Sequence, residues 1–304
     1  MKFVVIGDLM VDKTIHGEVT KISPEAPVPV VNIKYETNVL GGSGNVVKNL
    51  TSMGHEVVVS GFAGNLSKKL MSEDKLINHS FCTYTEKDNV KLRYVDIKTG
   101  YHLLRVDDED ETKSYGPLTW GAWGPDLDAI KPDGIILSDY GKNAIDGNVK
   151  GIVESAKQRK IPIFVDTRRG DVRVFEGVNW MMPNAQELEA IKETLGVTEE
   201  HRIIELLDLD GLIVTKSENG MTFVGEDGST LSIPITSSDV VDVTGAGDTA
   251  IAAFAVGICT HQDPIEAMKF SNYCAGVVCR QRGTSTVTKE DVDTYHAIEH
   301  GIYT

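Results

Sequence analysis

Asp242-Val243-Thr244-Gly245-Ala246-Gly247-Asp248-Thr249 is the stretch on which the reading of this chain turns. It stands between a strand-and-loop segment, Leu231 to Val241, and an apolar run, Ala250 to Cys259, that has the composition of a buried helix. Gly245, Ala246 and Gly247 carry little bulk, so the backbone can turn tightly and approach a ligand closely. A turn that opens a helix presents unpaired N–H groups and the positive end of the helix dipole, which together favour an anion. Asp248 sets one carboxylate beside that cradle. A carboxylate is a poor ligand for phosphate but a suitable base for a hydroxyl that attacks one. The octapeptide alone fits equally a glycine-rich turn with Asp248 as an ordinary N-cap, so the surrounding chain has to decide.

Outward from this stretch, strands and helices alternate. Lys2 to Gly7, Glu56 to Ala63, Gly134 to Asp139, Pro162 to Asp166, Trp180 to Pro183 and Gly211 to Thr215 read as buried strands. Asn45 to Met53 (stopped by Gly54), Ser67 to Ile77, Gly147 to Arg159, Ala185 to Leu195 and Glu199 to Asp208 read as helices. Thr249 to Thr260, Pro264 to Arg280 and Lys289 to His300 follow as three more, after a hairpin of Met221 to Val224 and Thr230 to Ile233. Such alternation predicts an α/β fold, a parallel-core sheet with helices on both faces. Asp8, Asp139, Asp166, Asn184 and Lys216 end strands. In an open parallel sheet these ends share one edge, which is where ligands bind.

A second pattern interrupts the first. Ile15 to Val19, Val28 to Tyr35, Phe81 to Thr85, Val90 to Asp96 and His102 to Asp107 alternate as half-exposed strands do. They predict a small β-sheet lid drawn from residues 12–40 and 80–107. Pro24, Pro27 and Pro29 exclude a helix or a central strand between Ile22 and Val30, leaving an edge segment or loop. The acidic run Asp107 to Glu111 reads as a solvated loop.

The 304 residues carry a formal net charge of −15, which argues against nucleic acid and membrane surfaces as partners. No apolar run is long enough to span a bilayer. The four cysteines form no CxxC pair and read as reduced core thiols of a cytoplasmic protein.

Gly41-Gly42-x-x-Asn45, Asn184-x-x-Glu187 and Asp242-x-x-Gly245-Ala246-Gly247-Asp248, in that order, resemble the motifs of the ribokinase-like (PfkB) carbohydrate kinases over nearly the whole chain. Gly7-Asp8-Leu9-Met10-Val11-Asp12-Lys13, the proline segment Ile22 to Val30, Leu137-Ser138-Asp139-Tyr140 with Lys142, Val214 to Met221 and Arg282 to Val287 narrow the likeness. They are similar to the kinase domain of the bifunctional heptose 7-phosphate kinase/heptose 1-phosphate adenylyltransferases. That family phosphorylates the anomeric hydroxyl of D-glycero-β-D-manno-heptose 7-phosphate with ATP, on the way to ADP-heptose and lipopolysaccharide precursors. Two departures bear on the choice of sugar. Asp166-Thr167-Arg168 stands where the family has Asp-Pro-Lys, which keeps charge but changes phosphate geometry, and the segment from Gly64 to Ser67 is shorter.

The resemblance implies a role for each motif. Asp248 would be the base, and the amides of Gly245, Ala246 and Gly247 would hold charge on the transferring phosphate. Asn184, Ala185, Gln186, Glu187 and Lys216 would meet ATP, with Glu187 holding Mg²⁺ through water. The spacing of Asn184 and Glu187 fits a plain helix-capping box equally well. Asp8, Asp12, Gly41, Gly42, Asn45 and Asp139 would bind the sugar, and Arg105, Lys142 and Arg168 its 7-phosphate. Asp242 and Thr244 would lie beside a monovalent cation such as K⁺, a habit of the family. Residues 1–304 are expected to form one kinase domain without a nucleotidyltransferase domain, so that a separate protein would transfer the adenylyl group. The lid, with its open edges, is expected to pair two copies into a homodimer. A kinase for another sugar, and a non-catalytic sugar- or nucleotide-binding protein, are the competing readings.

Overall fold

A computed structural model describes residues 1–109, 123–142, 144–145, 149–236, 240–261 and 263–299. The first half of the chain runs β1 (Lys2–Gly7), β2 (Leu9–Ile22), β3 (Pro29–Gly42), α1 (Ser43–Ser52), β4 (Glu56–Ser60), β5 (Phe62–Ala63), α2 (Asn65–Ser72), β6 (Ile77–Asn78), β7 (Thr83–Tyr84), β8 (Val90–Asp96) and β9 (His102–Asp108). The second half runs α3 (Trp123–Ile130), β10 (Gly134–Asp139), α4 (Val149–Arg159), β11 (Ile163–Thr167), β12 (Trp180–Met181), α5 (Ala185–Leu195), α6 (Glu200–Leu207), β13 (Gly211–Thr215), β14 (Met221–Val224), β15 (Thr230–Ile233), α7 (Ala246–His261), α8 (Pro264–Cys279) and α9 (Lys289–Glu299).

Among the described residues the main sheet has the order β15-β14-β13-β12-β11-β10-β1-β4-β6. It is parallel from β6 to β13, and β14 and β15 add an antiparallel edge. Side-chain alternation along β1 divides the core. Phe3 and Val5 pack with α1, α7 and α8, while Val4 and Ile6 pack with α4, α5 and α6. The run that follows the glycine turn is buried from Asp248 to Ile258, as an all-round apolar helix must be. Phe254 anchors it edge-on against Phe164 at 6.1 Å and Trp180 at 5.4 Å. The chain leaves β1 for β4 on one side while β10 lies on the other, so a crevice forms outside the strand ends there.

The lid is a separate sheet of order β3-β2-β8-β9. Its hairpin of β2 and β3 is rooted at the crevice, because β2 begins beside Asp8 and the Ser43 amide donates to the Asp8 carbonyl at 3.0 Å. The proline segment is the tip of that hairpin.

Several sequence expectations change. The strand expected to end at Tyr35 continues through Gly41 and Gly42 and runs straight into α1. The helix expected to Ile77 stops at Ser72, because the Asp74 carboxylate accepts from the Leu76 amide at 3.1 Å and turns the chain into β6. Phe81 to Thr85 does not join the lid; its Thr83 and Tyr84 pair in parallel with Phe62 and Ala63. Helix α3 was not foreseen. The start of the helix expected from Gly147, Asp110 and Glu111 of the acidic run, Ser237 to Asp239 and His300 lie outside the described residues.

Candidate active site

Asp248 is the third residue of α7, not its N-cap, and its carboxylate bonds across the crevice. Oδ1 accepts the Tyr140 phenol at 2.6 Å and Oδ2 accepts the Asn45 amide at 2.8 Å. Burial pushes its pKa up, and these two hydrogen bonds with the nearby Arg168 charge oppose that rise. Burial and the Asp248 charge push the Tyr140 phenol well above its ordinary range, so it remains a neutral donor. Asn45 is held in turn by Asn49, whose Nδ2 donates to the Asn45 carbonyl at 2.9 Å and whose Oδ1 accepts Thr249 Oγ1 at 3.0 Å. Gly245 has φ of +81°, and a Cβ there would lie 2.6 Å from Asn45 Nδ2. The turn and the amide that orients the carboxylate therefore require each other.

A cavity of ≈ 560 Å³ opens over this group. Thr244, Gly245, Ala246, Gly247 and Asp248 form one wall. Asn184 and Glu187 face it from the start of α5, and Asp166 and Arg168 from the end of β11 and the loop after it. The lid contributes Asp12, Gly42, Lys91, Arg93 and Arg105. Met182, Met221, Ile235, Val240, Val243 and Cys279 make an apolar end. Both readings of the Asn184/Glu187 spacing hold together. Asn184 Oδ1 accepts the Glu187 amide at 2.9 Å, Glu187 Oε2 accepts the Asn184 amide at 2.8 Å, and both residues line the cavity. Burial raises the carboxyls of Asp166 and Glu187, and the charges of Asp248 and Glu187 raise Asp166 further.

Other expected site residues have different employment. Asp8 accepts the backbone amides of Tyr140 at 2.7 Å, Lys142 at 3.0 Å and Ala144 at 3.0 Å, so it braces the loop after β10 and does not line the cavity. Asp139 is closed off by Thr167 Oγ1 at 2.8 Å, the Gly141 amide at 3.0 Å and Arg169. Lys142 pairs with Glu109 away from the cavity lining. Asn45 reaches Asp248 and not the cavity. Gly41 is small because its Cβ would lie 2.4 Å from Asp12 Oδ2. Asp12 itself lines the cavity, held by Arg93 at 2.5 Å. Arg105 lines it while chelated by Asp107 at 2.7 and 2.9 Å. Asp242 accepts Thr244 N at 2.9 Å, Thr244 Oγ1 at 2.7 Å and Gly283 N at 2.9 Å, so it pins the turn. Ala185, Gln186 and Lys216 lie outside the lining. Tyr140, Lys91 and Arg93 were not among the expected site residues. Period-two alternation along β8 puts Lys91 and Arg93 on one face, a signal that reports a shared face but not what that face covers.

Carboxylate and amide oxygens are the right donors for a hard divalent cation such as Mg²⁺. Among the described residues no group of three His, Cys, Asp or Glu could hold a metal ion by itself. Asn184 and Glu187 offer such oxygens at the cavity wall.

The model of the pfkB family of carbohydrate kinases matches residues 1–291. The bifunctional protein HldE of Pseudomonas savastanoi pv. phaseolicola is 34% identical over 300 residues, covering 95% of this chain and 62% of that protein. The chain thus spans under two thirds of the length of that relative. Ribokinase from Thermotoga maritima superposes with a TM-score of 0.72 at 19% identity, covering 97% of this chain and 99% of that one. Phosphofructokinase-2 from Escherichia coli, solved in complex with potassium, superposes with a TM-score of 0.70 at 14% identity, covering 97% and 98%.

Proposed function

The chain belongs to the pfkB family of carbohydrate kinases, and on that premise we propose that it phosphorylates the anomeric (C1) hydroxyl of D-glycero-β-D-manno-heptose 7-phosphate with ATP, giving the 1,7-bisphosphate. The observation that carries this reading is Asp248, a buried carboxylate aimed by Tyr140 and Asn45 at the floor of a cavity whose lid side is cationic. Asp248 takes the proton of the attacking hydroxyl. The amides of Gly245, Ala246 and Gly247 receive charge on the transferring group, and loss of one such donor costs about two to three powers of ten in rate. Asn184 and Glu187, which line the cavity, serve the nucleotide phosphates, and the apolar end suits the base. Mg²⁺, when bound, neutralises phosphate charge, with Glu187 contacting it through water. K⁺ beside Asp242 and Thr244 belongs to the same reading, supported by the potassium complex of the fold neighbour.

The choice of heptose rests on the likeness to HldE. Ile33, Tyr35 and Leu104 on the lid are 61%, 55% and 55% exposed, which supports a homodimer closed through that sheet. No helix among the described residues is long and apolar enough to cross a membrane. Mass spectrometry of the product from heptose 7-phosphate, ATP and Mg²⁺ tests the proposal. A 1,7-bisphosphate supports it. No ATP-dependent product, alongside turnover of a simple sugar, favours another kinase of the family.

A further inference from the structure

Asn45 and Asn49 stand one helical turn apart on the same face of α1, and both are buried, at 1% and 0% exposure. A carboxamide is ambivalent. Its NH₂ end suits a carboxylate and its carbonyl end suits a protonated carboxylic acid, so an amide free to turn over serves both states of a neighbouring acid. It favours the charged state only when something holds it in one sense.

Asn49 is held at both ends by main-chain groups that cannot exchange roles. Its Oδ1 accepts the Val287 amide at 3.3 Å, an N–H that can only donate, and also Thr249 Oγ1 at 3.0 Å. Its Nδ2 donates to the Asn45 main-chain carbonyl at 2.9 Å, which can only accept. The second hydrogen of Nδ2 is thereby presented to Asn45 Oδ1, at 3.3 Å. The other end of the Asn45 amide then meets Asp248 Oδ2 at 2.8 Å and the Gly245 carbonyl at 3.5 Å. Donors therefore run in one sense, from the Val287 amide through Asn49 and Asn45 to Asp248. The segment that carries Val287 is tied to the same helix, because Ser52 Oγ donates to Thr286 Oγ1 at 3.1 Å.

We propose that Asn49 is a positioning residue that locks the Asn45 amide against turning over, so that Asn45 donates to Asp248 and never accepts from it. The inference rests on Asp248 as the base in the kinase reading above. An unlocked Asn45 would accept from Asp248 once that acid had taken the proton of the sugar hydroxyl, and would hold the proton there. The locked amide offers the protonated acid no acceptor and favours return of the carboxylate.

Isotope labelling of the aspartate carboxyl carbons lets NMR follow the titration of Asp248 in the protein without sugar, and Asp248→Asn identifies its signal. Asp12 from β2, Tyr140 after β10, and Asp166 and Arg168 at the end of β11 face Asp248 unchanged in the other variants. Asn45→Leu removes a hydrogen bond to a charged group and should raise the Asp248 titration by about one to two units. Asn49→Leu should move it the same way by about half a unit or more, acting only through Asn45, and Asn49→Ala supplies the reading if the leucine variant does not fold. Asn45→Leu combined with Asn49→Leu should match Asn45→Leu alone within about 0.3 unit, because the lock then has nothing to hold. Thr249→Val removes one donor to Asn49 and keeps the Val287 amide, so it should lower the melting temperature and leave the titration within about 0.3 unit of the wild type. A titration within about 0.3 unit of the wild type in the folded Asn49 variants overturns the lock. Additive shifts in the double variant overturn it too, as does a shift in Thr249→Val equal to that in Asn49→Leu, which marks a packing effect. If heptose 7-phosphate is not phosphorylated while the titration still depends on Asn49, the sugar assignment fails and the lock stands.

Discussion

Replacing Tyr140 by Phe removes one oxygen and leaves the ring that seats Lys91 and Arg168. The oxygen donates to Asp248 Oδ1 at 2.6 Å in a buried setting. A hydrogen bond to a charged acceptor contributes about 1.5–3 kcal/mol. At 1.36 kcal/mol per unit, its loss raises the pKa of Asp248 by about one to two units. The sign follows from the chemistry. Tyr140 donates to the carboxylate and so favours the charged form, against the burial that already raises it. The other groups facing Asp248 are the same in both proteins: Asn45 from α1, Asp12 from β2, and Asp166 and Arg168 at the end of β11. A base must be ionised to work, so the acid limb of the kcat–pH profile should move to higher pH by about one to two units. The rate below the limb should fall far more than the plateau above it, and the KM for ATP should hold. An acid limb within about 0.3 unit of the wild type, or one displaced to lower pH, would show that Tyr140 does not act on the base or that Asp248 is not the base.

Asp248→Asn should lower kcat by about two to four powers of ten while ATP binding by calorimetry persists. The same variant should gain stability relative to the wild type as pH rises. The folded pKa of Asp248 lies above the ordinary carboxylate value, so the wild type loses stability through that window and the uncharged Asn does not; thermal melts at several pH values read the difference. Asp8→Ala should cost about 3–5 kcal/mol in denaturant unfolding, because three backbone amides lose their acceptor. A raised sugar KM with unchanged stability would instead return Asp8 to the role of a ligand. Gly245→Ala should cut kcat about tenfold or more and lower the unfolding midpoint as well, since φ of +81° strains an L side chain and the new Cβ pushes on the amide that orients Asp248; an unchanged kcat refutes that coupling.

Much of the α/β frame was legible because its signals are local. The Asn184/Glu187 box needs only residues three apart, and β13, β14, β15 and α5 begin and end where period and caps say they do. The glycine turn with its acid, and the cationic face of β8, were likewise present as pattern. What the pattern could not contain is the partner of each acid. Asp8 and Asp248 are the same residue type, one after a strand and one in a glycine turn. Asp8 became a brace because its carboxylate meets an amide 136 positions away. Asp248 became the aimed carboxylate because Asn45, 203 positions away, and Tyr140, 108 away, converge on it. Local sequence determines which conformations and charges are available at a position. Only the packed chain decides which of those charges is satisfied by its own backbone and which is left facing the cavity, because desolvation and hydrogen bonding depend on neighbours that are distant along the chain.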